Sequence, residues 1–412
     1  MAQHQQQHDK LCAWIDTHFD EEVAFLQNVI RIPTDTPPGD NAPHADAVAH
    51  MVEGFGWTAE KHVVPHKEVA DYGMASLTNV IIRRKYGDGG PVVALNAHGD
   101  VVPPGEGWTT DPYGGEIRDG RIYGRAAATS KSDFATYIYA VRALESLGGA
   151  LKGGVELHFT YDEEFGGLLG PGWLLEQKLT KPDFAIGAGF SYNVMTAHSG
   201  CLQFEVTVQG KATHGSIPES GHDALQATTT ILNAIYAKVN ELSSIQSKVE
   251  GIKHATMIVG RIEGGTNTNV VPGKVVFKMD RRMVPEEDPT QVEADVRSMI
   301  ENAASGLPGI KVEIKRLLLA RPFFPLAGQE KLVKSLQKNA KEVMGAEITA
   351  KGSPLYTDAR LYCEHGIPAV LYGAGPRTVL ESNAKQADEH LVLEDLRRAT
   401  KVVAMTLLDF LA

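Results

Sequence analysis

Hydrophobic positions follow two different rhythms along the chain. From residue 9 to 30, Leu11, Trp14, Ile15, Phe19, Val23, Phe25 and Leu26 recur at roughly helical spacing, and prolines at 33, 37 and 38 close the stretch. The apolar run 91–97, bounded by GDGG, predicts a buried strand. A helix is predicted over about 132–147, with Phe134, Ile138, Val141 and Leu144 on one stripe. A second strand follows at 154–161, GVELHFTY. Strand, helix and strand in this order predict parallel pairing in a helix-covered sheet.

The rhythm changes near residue 199. QFEVTVQ at 203–209 alternates polar and apolar, as in a sheet with one wet face. A long helix is predicted over 222–242, then strands at 255–263 and 274–280 separated by GGTNTNVVPG. Asp288-Pro289 opens another helix as N-cap and first-turn proline, and an alternating strand at 310–316 closes the set. This β-α-β-β-α-β order reads as a split βαβ, ferredoxin-like sandwich. After Pro322 the α/β pattern resumes. The expected architecture is one α/β domain, 1–198 and 317–412, interrupted by an inserted α+β domain, 199–316.

Composition narrows the partners. A chain of 412 residues exceeds one ordinary core, which agrees with two domains. No apolar run is long enough to span a membrane. The polar start MAQHQQQHDK lacks the apolar core of a signal peptide, so a cytoplasmic protein is expected. Cys12, Cys201 and Cys363 are odd in number and far apart, and are expected to be reduced thiols. A net charge of −11 without a basic cluster argues against nucleic acid.

Five segments could carry chemistry, although each alone also fits a solvated turn. Ala97-His98-Gly99-Asp100 ends a buried strand, where open α/β sheets place their sites. A histidine and an acid two apart suit a metal-bound imidazole oriented by a carboxylate. Tyr161-Asp162-Glu163-Glu164-Phe165-Gly166-Gly167 ends the next strand, and adjacent acids there can divide into base and ligand. A loop follows with His214, and then the run Gly264 to Pro272 with Asn267 and Asn269, leading to Asp280-Arg281-Arg282. Amides and a guanidinium fork suit a carboxylate ligand. Last come Thr357-Asp358-Ala359-Arg360 and the glycine-rich Tyr372–Pro376, whose backbone N–H groups suit an anion.

In this order, AHGDVVP with its downstream Trp108, DPYGG, GRIYGR, YDEEFGG, the His214 segment, GGTNTNVVP, DRR and YGAGP resemble one family. It is the family of aminoacylase, carboxypeptidase G, acetylornithine deacetylase and succinyl-diaminopimelate desuccinylase. The resemblance covers nearly the whole chain. It implies a zinc-aminopeptidase-like catalytic domain with an inserted lid and dimerisation domain, and hence a homodimer or higher homo-oligomer. It further implies His98 as a metal ligand oriented by Asp100, Glu163 as the base that activates a metal-bound water, and Glu164 as a ligand. His214 from a partner subunit would stabilise the oxyanion. Asn269, Arg282 and Gly375 would meet a substrate carboxylate.

The chain departs from that pattern at three of the family's five metal-ligand positions, which fall on Thr129, Gly189 and Lys385. With one ligand carboxylate left and Lys385 adding positive charge, a tight two-metal centre is not expected. The principal expectation is a metal-dependent hydrolase that cleaves an amide or peptide C–N bond in a small carboxylate-bearing substrate. It would use one labile zinc or manganese ion on His98, Glu164 and a third group such as Asp133, Asp100, His198 or His390. Asp133 near a helix start would otherwise simply favour the macrodipole. In a second reading Lys385 replaces the lost cation beside the substrate, and the enzyme is an aminohydrolase of a carboxylated aromatic amine such as a nitroanthranilate. In a third, a metal-free binding or scaffold protein has kept the fold.

Overall fold

A computed structural model describes residues 2–412 and divides the chain into two units. The first holds the chain up to Thr196 together with Pro325–Lys351 and Thr357–Ala412; the second holds Ala197–Phe324 and Gly352–Tyr356.

Three long helices dominate the first unit: α1 (Ala2–Ile30), α2 (Lys131–Ser146) and α3 (Leu393–Leu411). Their apolar faces, including Leu11, Ile15, Leu26, Phe134, Ile138, Val403 and Leu407, share one core with the sheet. The eight strands are β1 (Ala59–Val63), β2 (Thr78–Gly87), β3 (Val92–His98), β4 (Gly153–Thr160), β5 (Phe184–Gly187), β6 (Asn193–His198), β7 (Thr349–Ser353) and β8 (Ala369–Leu371). They lie in the order β1-β2-β4-β3-β5-β8-β6-β7. β3 is parallel to β4 and to β5, as the strand-helix-strand pattern implies. Register decides the site: His98 stands opposite Thr160, so β3 and β4 leave the sheet at the same edge. Helix α1 starts seven residues earlier than the apolar spacing predicts. Its polar first turns are held by side chains, with Gln5 and His8 on Glu342 and His4 on Asp409.

The second unit is a four-stranded antiparallel sheet with two helices. Its central strands, Gly200–Gln209 and Lys274–Met283, pair without interruption from Cys201↔Arg282 to Gln209↔Lys274. The outer strands are Thr256–Gly264 and Lys311–Ala320. Phe204, Val206, Val208, Phe277 and Met279 alternate inward against Ile231, Ile235, Val296 and Ile300 of the helices Ala224–Leu242 and Pro289–Ala304. Asp223 and Asp288 cap these helices, each accepting two backbone N–H groups. The unit runs beyond the expected boundary at 316. After a bulge between Arg316 and Leu318, the strand continues, and Leu318, Leu319 and Ala320 pair with Gln203, Leu202 and Cys201. The apolar run Leu317–Leu319 has a strand partner, so it belongs to this sheet. Among the described residues, no helix is long and apolar enough to cross a membrane. The three cysteines are free thiols.

Candidate active site

The site in the first unit is built where β3 and β4 end. The His98 backbone N–H donates to Ser130 Oγ at 3.0 Å. Its Nδ1 lies 3.1 Å from the Asp100 carbonyl oxygen and 3.4 Å from Asp100 Oδ1. Asp100 is fully buried, and its carboxylate accepts from two further backbone groups: Glu163 N–H at 3.2 Å and Glu164 N–H at 2.9 Å. One carboxylate therefore fixes both the imidazole and the glutamate turn. That turn is a single tight helical loop, Glu163–Phe165, closed by Gly166 and Gly167 at φ +100° and +72°. Such angles favour glycine, which explains the FGG ending of the motif. Glu163 Oε2 then lies 3.9 Å from His98 Nε2.

Electrostatics separate the two members of this pair. Burial raises Glu163 and the neighbouring Glu164 and Asp100 add to it, while His98 and Lys385 oppose; the outcome is about 7. Burial works against charge on His98, but Glu163, Asp100 and Glu164 outweigh it and raise the imidazole to about 10. In the ion-free site the surrounding acids therefore favour the protonated imidazole, which faces a carboxyl group raised towards neutrality.

Lys385 and Asp133 complete the first-unit set. The Lys385 ammonium donates to Glu164 Oε2 at 2.7 Å, so one expected ligand position carries a cation directed at another expected ligand. Asp133 lies in the first turn of α2 and is fully buried, which takes it beyond a helix-dipole role. Its Oδ1 accepts from Ala374 N–H at 2.8 Å and its Oδ2 has no hydrogen-bond partner. Burial raises it to about 7, with the Ala374 and Gly189 amides and His98 pulling the other way. Gly375 spends its amide on the Gly189 carbonyl at 2.9 Å, so that N–H is not available to a ligand as the glycine-rich pattern suggests. His390 turns Nδ1 to the Asp388 carbonyl at 2.9 Å and packs on Tyr123.

His214, Asn269 and Arg282 belong to the second unit. Thr213 and His214 pair with Val271 and Val270, and Gly215 N–H donates to the Asn269 carbonyl at 2.8 Å. His214 and Asn269 are therefore neighbours, both exposed. His214 Nδ1 meets Ser216 Oγ at 2.7 Å. Arg282 is held by Asp280, Nε to Oδ1 at 2.7 Å, and its guanidinium lies over the Tyr356 ring. His198 is buried in this unit as well.

Four further residues, to which the sequence assigns no role, support the site. Asp162 and Asp358 are buried acids pushed up first by burial and then by a neighbouring acid, Asp100 at Asp162 and Asp162 at Asp358, and Asp358 interacts with both Glu163 and His98. Both lie in segments the sequence singles out, YDEEFGG and Thr357-Asp358-Ala359-Arg360, but nothing local marks either acid as buried. Arg125 and Glu389 form a buried ion pair at 2.6 Å. Glu389 also accepts from Ala128 N–H and Lys385 N–H, both at 3.2 Å, tying the loop before α2 to the loop that carries Lys385.

Fold and site together define a two-unit α/β protein with a glutamate turn beside a histidine–aspartate pair. Residues 94–409 match the model of peptidase family M20/M25/M40, and the chain belongs to that family. Membership places it among metal-dependent hydrolases of C–N bonds, whose cofactor is a divalent metal. Acetylornithine deacetylase of Myxococcus xanthus is 28% identical over 94% of this chain and 97% of its own length. Succinyl-diaminopimelate desuccinylase of Rhodospirillum centenum is 26% identical over 93% and 95%. Among solved structures, the M20 metallo-carboxypeptidase Sso-CP2 of Sulfolobus solfataricus superposes with a TM-score of 0.77 at 21% identity, covering 94% of this chain and 98% of that one. The dipeptidase Dug1p of Saccharomyces cerevisiae gives 0.78 at 14% identity, covering 97% and 98%. These two likenesses show the shared fold.

A pair of metal ions does not fit the residues present. A Cβ at Gly189 would lie 2.7 Å from Tyr372 N, so no ligand side chain can stand there without moving backbone. Thr129 offers no carboxylate, and Lys385 sets a positive charge against Glu164. His98, Glu164 and Asp133, expected to share a single ion, are not gathered either: among the described residues they form no set of three donors within 4.8 Å of one another.

Proposed function

We propose that this chain hydrolyses an amide or peptide C–N bond in a small carboxylate-bearing substrate, with Glu163 taking the proton of the attacking water. The observation that carries this reading is the placement of Glu163: partly buried, raised to about 7, and with Oε2 3.9 Å from His98 Nε2. A base poised near neutral pH takes a proton most effectively there. In the ion-free site the Lys385 ammonium supplies positive charge for the oxyanion as the carbonyl is attacked; a metal-bound His98 is neutral and contributes none. Asp100 acts by position, holding the His98 ring and the glutamate turn together. The names of the relatives, a deacetylase of acetylornithine and a desuccinylase of succinyl-diaminopimelate, favour N-acylated amino acids as the substrate class.

To hold a single labile zinc or manganese ion, His98, Glu164 and Asp133 would have to draw together, with Lys385 displaced from Glu164; when bound, the ion would supply Lewis-acid polarisation. His214 is the proposed oxyanion donor, delivered by a partner subunit in a homodimer. Asn269 and Arg282 are the proposed contacts of the substrate carboxylate. A second reading draws on the Lys385–Glu164 ion pair at 2.7 Å. A fixed ammonium in the site suits an aminohydrolase that releases ammonia from a carboxylated aromatic amine.

The test is a panel of N-acyl amino acids and carboxylated aryl amines, with and without manganese or zinc, scored separately for free amino acid and for ammonia. Glu163→Gln should lower turnover by about 10²–10⁴-fold. Full turnover in that variant would remove the base assignment.

A further inference from the structure

We propose that the first turns of α1 and the end of α3 form a zinc site built from His4, His8 and Asp409, separate from the active site. His4 and His8 are four residues apart and so share one face of the helix. Their ring centroids are 4.4 Å apart. His4 Nε2 lies 2.7 Å and His8 Nε2 3.9 Å from the same oxygen, Asp409 Oδ1. One donor atom from each residue fits within a sphere where all three lie within 4.8 Å of one another. Among the described residues, this is the one grouping of three histidine, cysteine or acidic donors so gathered.

Independent of that spacing, the buried imidazole points to a ligand. His8 is 1% exposed, yet its Nε2 has no hydrogen-bond partner. A buried ring nitrogen left unpaired is costly unless something binds it. The surroundings have the form that metal ligands receive from their neighbours. The other nitrogen of His8, Nδ1, faces both Glu342 oxygens at 3.2 and 3.3 Å, which orients the ring so that Nε2 faces Asp409. Gln5 Nε2 in turn donates to Glu342 at 2.9 Å. Asp409 Oδ2 accepts from Ser335 Oγ at 2.6 Å and Asn339 Nδ2 at 3.0 Å, so Oδ1 is left for the two histidines. The charged neighbour on this side is Lys338, with Nζ 3.5 Å from Asp409 Oδ1 and a side chain more than half exposed, free to swing into water.

Two imidazole nitrogens and one carboxylate oxygen suit zinc, with a fourth position open to water. A shift of the His4 ring by less than about 1 Å would lengthen its 2.7 Å contact to the roughly 3.3 Å that separates two ligands on one tetrahedral zinc. The ion would fasten the start of α1 to α3 and to the helix Gln329–Met344, which carries Ser335, Lys338, Asn339 and Glu342. It joins segments about 400 residues apart in the chain, where a cross-link constrains the unfolded state most.

The full chain is titrated with zinc against a chromophoric chelator, and thermal unfolding is followed in parallel. Wild type and His98→Ala are each expected to bind one equivalent at this site, with a rise in Tm of about 5 °C at a hundredfold excess over Kd. His8→Ala and Asp409→Asn should weaken that equivalent at least about tenfold. Asp409→Asn keeps the side-chain shape and an acceptor for Ser335, so it remains informative if loss of buried His8 impairs folding. Equal zinc affinity and Tm shift in wild type and Asp409→Asn would overturn the proposal. So would loss of all zinc binding in His98→Ala.

Discussion

Lys385→Ala removes the cation that stands against Glu164, and its effect on metal affinity can be worked out from the site. The ammonium is 2.7 Å from Glu164 Oε2, and its side chain is 57% exposed, so aqueous screening is the appropriate limit. Two unit charges about 4 Å apart in water interact by about 1 kcal/mol, and a divalent ion at the Glu164 position doubles that repulsion to about 2 kcal/mol. Removing it should tighten manganese binding roughly 30-fold. Lys385→Arg keeps the charge and should leave affinity near wild type. Lys385→His removes the charge and adds a donor, so it should bind tighter than the alanine variant. Isothermal titration with manganese reads all three, in an Asp409→Asn background that silences the His4–His8 position. If Lys385→Ala bound manganese no tighter than the parent, the charge argument against a second ion would be refuted.

Three further outcomes are expected. Glu163 must be ionised to accept a proton and is raised to about 7, so kcat/KM should fall about tenfold per pH unit below that value; a profile flat down to pH 5 would contradict the assignment. Glu22 is fully buried on α1, with Thr400 Oγ1 donating to Oε1 at 2.5 Å and Oε2 unpaired, and burial raises it to about 8. The folded state therefore favours the protonated acid. Stability is lost as pH rises from the unfolded-chain value near 4.5 towards 8, with a ceiling of about 3 kcal/mol at pH 7. Glu22→Gln should gain Tm over wild type progressively across that window, and a constant difference from pH 5 to 8 would sink the idea. Glu389→Gln leaves the buried Arg125 without its counter-charge and should cost about 3 kcal/mol by denaturant unfolding; a loss under 1 kcal/mol would show that the pair does not anchor the two loops.

Much of this protein is written locally. The alternation of Phe204, Val206 and Val208, the capping aspartates 223 and 288, and the buried run of β3 each follow from a few neighbouring residues, because strand and helix periods act over short windows. The His-x-Asp spacing likewise placed His98 and Asp100 on one side of a strand end. Which charges meet was not local. Lys385 reads as a surface lysine beside acids, and only the fold sets its ammonium on Glu164, 221 residues away in sequence. Asp133 reads as a helix-start acid, and packing against Ala374 makes it a buried carboxyl with an unpaired oxygen. His4 and His8 read as a polar leader until Asp409 arrives from the far end of the chain. Sequence by itself thus determined the elements, their order and the acidic and imidazole groups at the strand ends. Tertiary structure alone decided their electrostatics, because Coulomb energies and desolvation depend on distance and burial in space, and neither is encoded in separation along the chain.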